Sequence, residues 1–140
     1  MKVTNKGANF PEAVTAIEEH PAVLIVEDDK TVRSVVDKTL RREGYKVILA
    51  SSGKEAIKLF KESDEKIGLL ITDIIMPQMD GQTLAEQLRM LQPDLKVLFM
   101  SGYTADHIEH GNKATAHVPL ICKPFSIVHL RDMVSQILSH

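Results

Sequence analysis

The chain has 140 residues, of which 44% are hydrophobic and 26% are charged, and its formal net charge at pH 7 is -2. This length suits one domain with its own core, and the charge supplies no basic field for nucleic acid. No apolar run is long enough to cross a bilayer, and the N-terminus lacks the apolar core of a secretory signal. The lone Cys122 excludes an intrachain disulfide, and its apolar neighbours predict a buried thiol in a reducing compartment. We therefore expect a cytoplasmic protein.

The first twenty residues carry the weakest pattern in the chain. Phe10-Pro11-Glu12 is typical of a helix start, with proline in the first turn and an acid near the positive end. His20-Pro21 favours an extended backbone ahead of the first strand. We predict an N-terminal extension or linker over residues 1–20 and one domain over residues 21–140.

Five short apolar runs predict strands that are buried on both faces, as in a parallel sheet. The central run, Leu69-Leu70-Ile71-Thr72, leads directly into Asp73, and Pro77 then ends any regular ladder. In chain order the predicted strands cover residues 22–26, 46–50, 69–72, 96–100 and 119–122.

Helical periodicity fills the intervals between these strands. A capping box from Ser52 to Glu55 predicts a helix start, and Ser126 is placed to cap the last helix. Two further helices are expected at about residues 31–43 and 82–91, and a short one near residues 105–110. The predicted apolar stripes of the first, third and last long helices are Val32, Val35, Val36 and Leu40; Leu84, Leu88 and Leu91; and Ile127, Leu130, Val134, Ile137 and Leu138.

This alternation predicts an α/β fold, a doubly wound parallel sheet with helices on both faces. Right-handed crossovers bring the carboxyl ends of all the strands to one rim, where open α/β sheets bind their ligands. Most of the predicted strands end there in a charged or reactive group: Glu27-Asp28-Asp29, Asp73, Ser101 and Lys123.

Charge then indicates the chemistry of this rim. Carboxylates brought together repel one another, which raises their pKa values or recruits a cation, and oxygen ligands without histidine or thiolate suit Mg²⁺. A carboxylate-held Mg²⁺ can bind phosphate oxygens, Ser101 can donate a hydrogen bond to the same phosphate, and Lys123 supplies a positive charge. Asp73 is then the natural nucleophile, because carboxylates form aspartyl phosphates.

Several other polar or soft side chains have plainer interpretations. Asp29 is interpreted as a helix cap rather than as a metal ligand, because acids favour helix starts. Three histidines in a polar stretch are interpreted as solvated, and three methionines as packing or loop residues. These are His107, His110 and His117, and Met76, Met79 and Met100.

The sequence resembles a response-regulator receiver domain of two-component signalling over roughly residues 21–139. The resemblance implies a flavodoxin-like sheet with strand order 2-1-3-4-5. One segment, residues 93–104, is further similar to receivers attached to hybrid sensor histidine kinases. The resemblance rests on Leu24-Ile25-Val26-Glu27-Asp28-Asp29, Thr72-Asp73-Ile74-Ile75-Met76-Pro77, Met79-Asp80-Gly81, Met100-Ser101-Gly102-Tyr103 and Lys123-Pro124-Phe125.

The resemblance implies a role for each matching position. Asp73 matches the phosphoacceptor, and Glu27 and Asp28 match the acidic pair. Of these two acids, Asp28 is the one favoured as a direct ligand of Mg²⁺. The main-chain carbonyl of Ile75 matches the third protein ligand of the metal. Ser101 matches the switch hydroxyl and Lys123 the phosphate-binding lysine, and the family's lysine–proline bond is cis.

Two positions depart from the common family pattern. Leu120 stands where many receivers carry an aromatic residue whose rotation follows the switch hydroxyl, which puts that form of output coupling in doubt. Tyr103 is the residue that we consider as a partial substitute. Ile75 carries an apolar side chain that cannot orient an attacking water, so we predict slow self-dephosphorylation.

The resulting prediction is a signalling switch that accepts a phosphoryl group from a histidine kinase or a phosphotransfer histidine. It would signal to an unknown downstream protein or pass the group onward, and homodimerisation stays open. A Mg²⁺-dependent phosphohydrolase is the enzyme alternative, although Ile75 stands where such enzymes need a second carboxylate. A nucleotide- or flavin-binding protein is a further alternative, but the sequence lacks the glycine-rich motif with which such proteins cradle a phosphate. A receiver that works without phosphorylation is the remaining alternative.

Overall fold

The computed structural model describes residues 21–102 and 118–139, and the elements below are numbered within them. The strands are β1 (Ala22–Val26), β2 (Lys46–Ala50), β3 (Ile67–Asp73), β4 (Lys96–Ser101) and β5 (Leu120–Cys122). The helices are α1 (Lys30–Arg42), α2 (Gly53–Glu62), α3 (Gly81–Leu91) and α4 (Ile127–Leu138). The expectations for residues 1–20, for a helix near 105–110, for Tyr103 and for His107, His110 and His117 lie outside the described residues.

All five strands form one parallel sheet in the order β2-β1-β3-β4-β5, which confirms the predicted flavodoxin-like order. The central strand β3 begins at Ile67, two residues before the predicted run, and includes Asp73. Gly68 hid this start, because glycine is a poor strand former. A Cβ atom at Gly68 would lie 2.7 Å from the Cβ of Pro21, so the neighbouring proline occupies that space.

The sheet separates two apolar layers, as the pattern of buried strands predicts. One layer packs α1 and α4 against alternate strand residues such as Val23 and Ile25. The other packs α2 and α3 against the intervening residues, such as Leu24 and Val26. Because both faces are covered, the carboxyl-terminal rim is left as the place where polar side chains from several strands can meet.

The predicted burial was wrong at four positions. Val35, Leu91 and Ile127 are 41%, 53% and 51% exposed, and Cys122 is also exposed. Val35 lies at the border of the buried face of α1, and Leu91 and Ile127 stand at helix ends. Cys122 ends a three-residue edge strand in which Ile121 takes the core position.

Polar side chains set the start of every described helix. Asp29 caps α1, accepting from the backbone N–H of Thr31 at 2.8 Å, which confirms its interpretation as a cap. The predicted capping box at α2 is formed in part. The Ser52 hydroxyl accepts from the backbone N–H of Glu55, but the Glu55 carboxylate binds the backbone N–H of Ser51 at 2.7 Å instead of closing on Ser52.

We expect Ser52→Ala to lower the free energy of unfolding by about 1 kcal/mol, because the first turn of α2 loses the acceptor for one of its free N–H groups. Urea unfolding of both proteins measures this. Ser34→Ala is the control, since Ser34 lies inside α1, where alanine is a good helix former. An equal loss in both variants would contradict a capping role.

Candidate functional site

The rim brings together three acidic side chains that follow two adjacent central strands. Glu27 and Asp28 lie directly after β1, and Asp73 is the last residue of β3. Each offers one carboxylate oxygen, and these three oxygens all lie within 4.8 Å of one another. Glu27 is buried, Asp73 is half-buried and Asp28 is exposed, so the cluster opens to solvent on the Asp28 side.

Lys123 reaches this cluster from the edge of the sheet. Its Nζ donates to Glu27 Oε1 at 2.6 Å and to Asp73 Oδ2 at 2.9 Å. With all four groups ionised, one ammonium faces three carboxylates and leaves two negative charges uncompensated. A divalent cation would balance this excess, and the all-oxygen donor set is the kind that hard cations such as Mg²⁺ prefer.

Burial and hydrogen bonding set the proton affinities of this ion pair. Burial raises the pKa of the Glu27 carboxyl above its ordinary value, against the opposing hydrogen bonds from Lys123 and the backbone N–H of Asp29. Burial alone lowers the pKa of Lys123, but its hydrogen bonds to Glu27 and Asp73 outweigh that effect and raise it. Lys123 therefore stays positively charged at neutral pH.

The backbone next to Asp73 is held by hydrogen bonds to β4 and to the start of α3. The N–H of Ile74 donates to the carbonyl of Met100 in β4 at 3.0 Å, and the N–H of Gly81 donates to the carbonyl of Ile74 at 2.7 Å. Gly81, the first residue of α3, thus packs directly beneath the end of β3. These bonds fix where the strand ends and the loop to α3 begins.

The other predicted site residues lie on the same rim. Ser101 ends β4, is 2% exposed, and stands one residue beyond Met100, the ladder partner of Asp73. Its carbonyl accepts from the backbone N–H of Lys123 at 2.7 Å. Ile75 lies in the loop after β3 with its side chain 45% exposed. The Lys123–Pro124 bond is cis, as the resemblance implied.

Leu120 is half-buried and packs with the apolar layer on the α2 and α3 side of the sheet. It pairs in register with Phe99 in β4. Met76 and Met100 are buried and Met79 packs against the same layer as Leu120, which confirms that the methionines serve packing.

Sequence reasoning missed one residue at this rim, Arg33. Its Nη1 donates to the main-chain carbonyl of Glu27 at 2.7 Å. The only signal for this contact is the spacing of six residues, which places a long cation at the end of the first turn of α1. Such a position is equally typical of a solvated arginine.

Comparison with known proteins gives one consistent result. The family model described as the response regulator receiver domain matches residues 23–135. The chain is 36% identical over 127 residues to the sensor kinase CckA of Brucella abortus, covering 91% of this chain and 13% of that protein. It is 37% identical over 115 residues to the response regulator receiver protein CpdR of the same organism, covering 82% of this chain and 92% of that protein.

Solved structures agree with this result. The receiver domain of the hybrid histidine kinase CckA has a TM-score of 0.70 and 38% sequence identity, covering 84% of this chain and 98% of that one. The chemotaxis response regulator CheY4 of Vibrio cholerae has a TM-score of 0.74 and 26% identity, with the same coverage. Among the described residues, no helix has the length and apolar character needed to cross a bilayer. The chain therefore belongs to the response regulator receiver domain family, whose members are phosphorylation-activated switches of two-component signalling.

Proposed function

We propose that this receiver is phosphorylated on Asp73, with Mg²⁺ held by the acidic cluster. The observation that supports this most directly is the junction of opposite charges at one carboxylate. Asp73 shares the Lys123 ammonium with Glu27 and places a carboxylate oxygen within 4.8 Å of oxygens of Glu27 and Asp28. An oxygen nucleophile, a fixed cation and an anionic metal site together match what phosphoryl transfer requires.

The donor set fits a magnesium site. Asp28, Asp73 and the main-chain carbonyl of Ile75 would bind the ion directly, and Glu27 would complete the acidic pair. When bound, the ion supplies charge neutralisation for the phosphoryl oxygens. Because Asp28 is the exposed member of the cluster, the ion can enter from solvent without opening the core.

In the transfer step, a carboxylate oxygen of Asp73 forms a bond to phosphorus while the bond from phosphorus to the donor atom breaks. The donor atom, a histidine nitrogen or the oxygen of a small acyl phosphate, keeps that electron pair. Lys123 would exchange a carboxylate contact for a phosphoryl oxygen, and the Ser101 hydroxyl would donate a hydrogen bond to another. The phosphoryl oxygens are negatively charged before the transfer as well as during it. Lys123 and Ser101 would therefore accelerate the transfer mainly by positioning the phosphoryl group.

The donor we propose is a histidine kinase or a histidine phosphotransfer protein, and the output is contact with a further protein or onward transfer of the phosphoryl group. Relatives of this chain include proteins described as a sensor kinase and as sporulation initiation phosphotransferase F of Bacillus subtilis, the latter 26% identical over 116 residues. The chain acts as a switch that assists only its own phosphorylation and slow dephosphorylation.

Intact-mass measurement after incubation with acetyl phosphate tests the proposal, with Mg²⁺ and with EDTA. We expect a single labile phosphoryl adduct that requires Mg²⁺ and that borohydride reduction and peptide mapping place on Asp73. Continuous phosphate release with no lasting adduct would instead indicate a phosphohydrolase. Neither adduct nor release would indicate a receiver that binds partners without phosphorylation.

We also expect slow hydrolysis of the aspartyl phosphate, because the exposed Ile75 side chain offers no donor or acceptor to an attacking water. Ile75→Asn should shorten the adduct's lifetime by about tenfold or more, since an amide can orient that water. The decay of the adduct after removal of the donor measures this. Ile75→Val is the matched control, and equal lifetimes in all three proteins would show that this side chain does not limit hydrolysis.

A further inference from the structure

Arg33 joins the first turns of α1 to the end of β1 at the point where the acidic pair begins. Its Nη1 donates to the carbonyl of Glu27 at 2.7 Å, and its side chain is half-buried. The backbone N–H of Glu27 is held in turn by the carbonyl of Ala50 in β2 at 3.1 Å. Both peptide groups of Glu27 are therefore tied down, one by the sheet and one by Arg33.

This carbonyl leads directly to Asp28. The peptide that Arg33 binds is the one that joins Glu27 to Asp28, and its plane sets the direction in which the Asp28 side chain leaves the backbone. A hydrogen bond from a charged guanidinium is stronger than one from a neutral donor. Asp28 is the exposed acid of the cluster, and a restraint on the peptide before it bears directly on the position of its carboxylate.

The charge of Arg33 also acts on a second group, the carboxylate of Glu55. The pKa of the Glu55 carboxyl is lowered chiefly by the hydrogen bond from the backbone N–H of Ser51, and the charge of Arg33 contributes to the same direction. Ser51 follows β2 directly. The Arg33 guanidinium, which is bonded at the end of β1, therefore also acts electrostatically on a carboxylate that is anchored just after β2.

We propose that Arg33 is a positioning residue for the metal site, holding the Glu27–Asp28 peptide so that both acids face Asp73. The inference rests on the proposed function, because it concerns the same magnesium site. It makes a prediction opposite in sign to simple electrostatics. A cation beside an acidic cluster should weaken Mg²⁺ binding by repulsion, whereas a positioning residue should strengthen it.

Mg²⁺ titration by calorimetry on the full chain separates the two effects. Arg33→Met keeps the apolar stem and removes the guanidinium, and we expect the Kd for Mg²⁺ to rise by about tenfold, as for other residues that orient metal ligands. Arg33→Lys keeps the charge and should restore part of the loss. Lys30→Met is the matched control, because it removes an exposed positive charge two residues from Asp28, for which we expect an unchanged or tighter Kd.

The outcomes are distinct. Weaker Mg²⁺ binding in Arg33→Met, with partial rescue by lysine and none of this loss in Lys30→Met, supports the inference. Unchanged or tighter binding in Arg33→Met overturns it while leaving the proposed function intact, since wild type still binds Mg²⁺ and takes up phosphate. Should circular dichroism show Arg33→Met unfolded, Arg33→Lys decides alone, with weaker binding in support and equal binding against. Wild type that binds no Mg²⁺ overturns both proposals.

Discussion

Asp73→Asn should leave no detectable phosphoryl adduct after incubation with acetyl phosphate and Mg²⁺, whereas wild type should become labelled. The amide keeps the shape of the side chain but cannot form the acyl phosphate by donating a carboxylate electron pair. Intact mass measures the loss directly. Asp64→Asn is the control, because Asp64 is exposed between α2 and β3, away from the rim, and should be labelled like wild type. An adduct that forms in Asp73→Asn would contradict the prediction and show that another residue accepts the phosphoryl group.

The same substitution should make the protein more stable when no divalent cation is present. Asp73 faces two other carboxylates and one ammonium, so its charge adds more repulsion than attraction. We expect the free energy of unfolding in EDTA to rise by about 1 kcal/mol, as is common when a functional charge is removed. Added Mg²⁺ should narrow the difference, because it stabilises the folded wild type that binds it. Urea unfolding with and without Mg²⁺ measures both effects.

Gly81→Ala should destabilise the protein by about 3 kcal/mol, since it forces a new atom into packed backbone. A Cβ atom at Gly81 would lie 2.1 Å from the carbonyl oxygen of Asp73 and 3.0 Å from its carbonyl carbon. Neither atom can yield without moving the end of β3 away from the start of α3. We therefore also expect slower phosphorylation of the folded fraction, because Asp73 moves relative to Lys123.

Gly53→Ala is a closely matched control, because Gly53 is likewise the first residue of a helix. Its added Cβ atom would meet the Sδ of Met79 at 2.7 Å, which a change of rotamer can move, and the Cβ of Met79 at 3.2 Å, which needs to shift by only a few tenths of an ångström. We expect a loss below about 1 kcal/mol in urea unfolding for this variant. Equal losses at the two glycines would contradict the prediction, because they would show that the contact with the Asp73 carbonyl does not set the cost.

Sequence patterns were most informative where local and tertiary preferences agree. The strands β1 and β2 have the predicted bounds, and the acids after β1 and β3 and the lysine after β5 meet as expected. Parallel strands that are buried on both faces appear in the sequence as apolar runs. A charged residue at the end of such a run therefore lies at the carboxyl-terminal rim of the sheet. This is why the grouping of these side chains at the rim could be predicted.

The remaining features depend on contacts between residues distant in the chain. The start of β3 could not be predicted because it contains Gly68, a poor strand former. Only the structure shows that Pro21 leaves no room for a side chain at this position. Arg33 looks like a surface cation until the end of β1 is placed against α1. The exposure of Cys122 follows from the edge position and shortness of β5, which its apolar neighbours do not reveal.

The position of Lys123 links the thinnest part of the sheet to its centre. β5 has three residues and, within the described part of the chain, pairs with β4 alone, so it is the strand from which local unfolding should begin. Any opening of that edge separates Lys123 from Glu27 and Asp73 and leaves the buried Glu27 carboxylate without its cation. A phosphoryl group on Asp73 that attracts Lys123 changes the free-energy cost of opening this edge. The rate at which edge amides exchange with solvent therefore depends on the chemical state of a side chain two strands away.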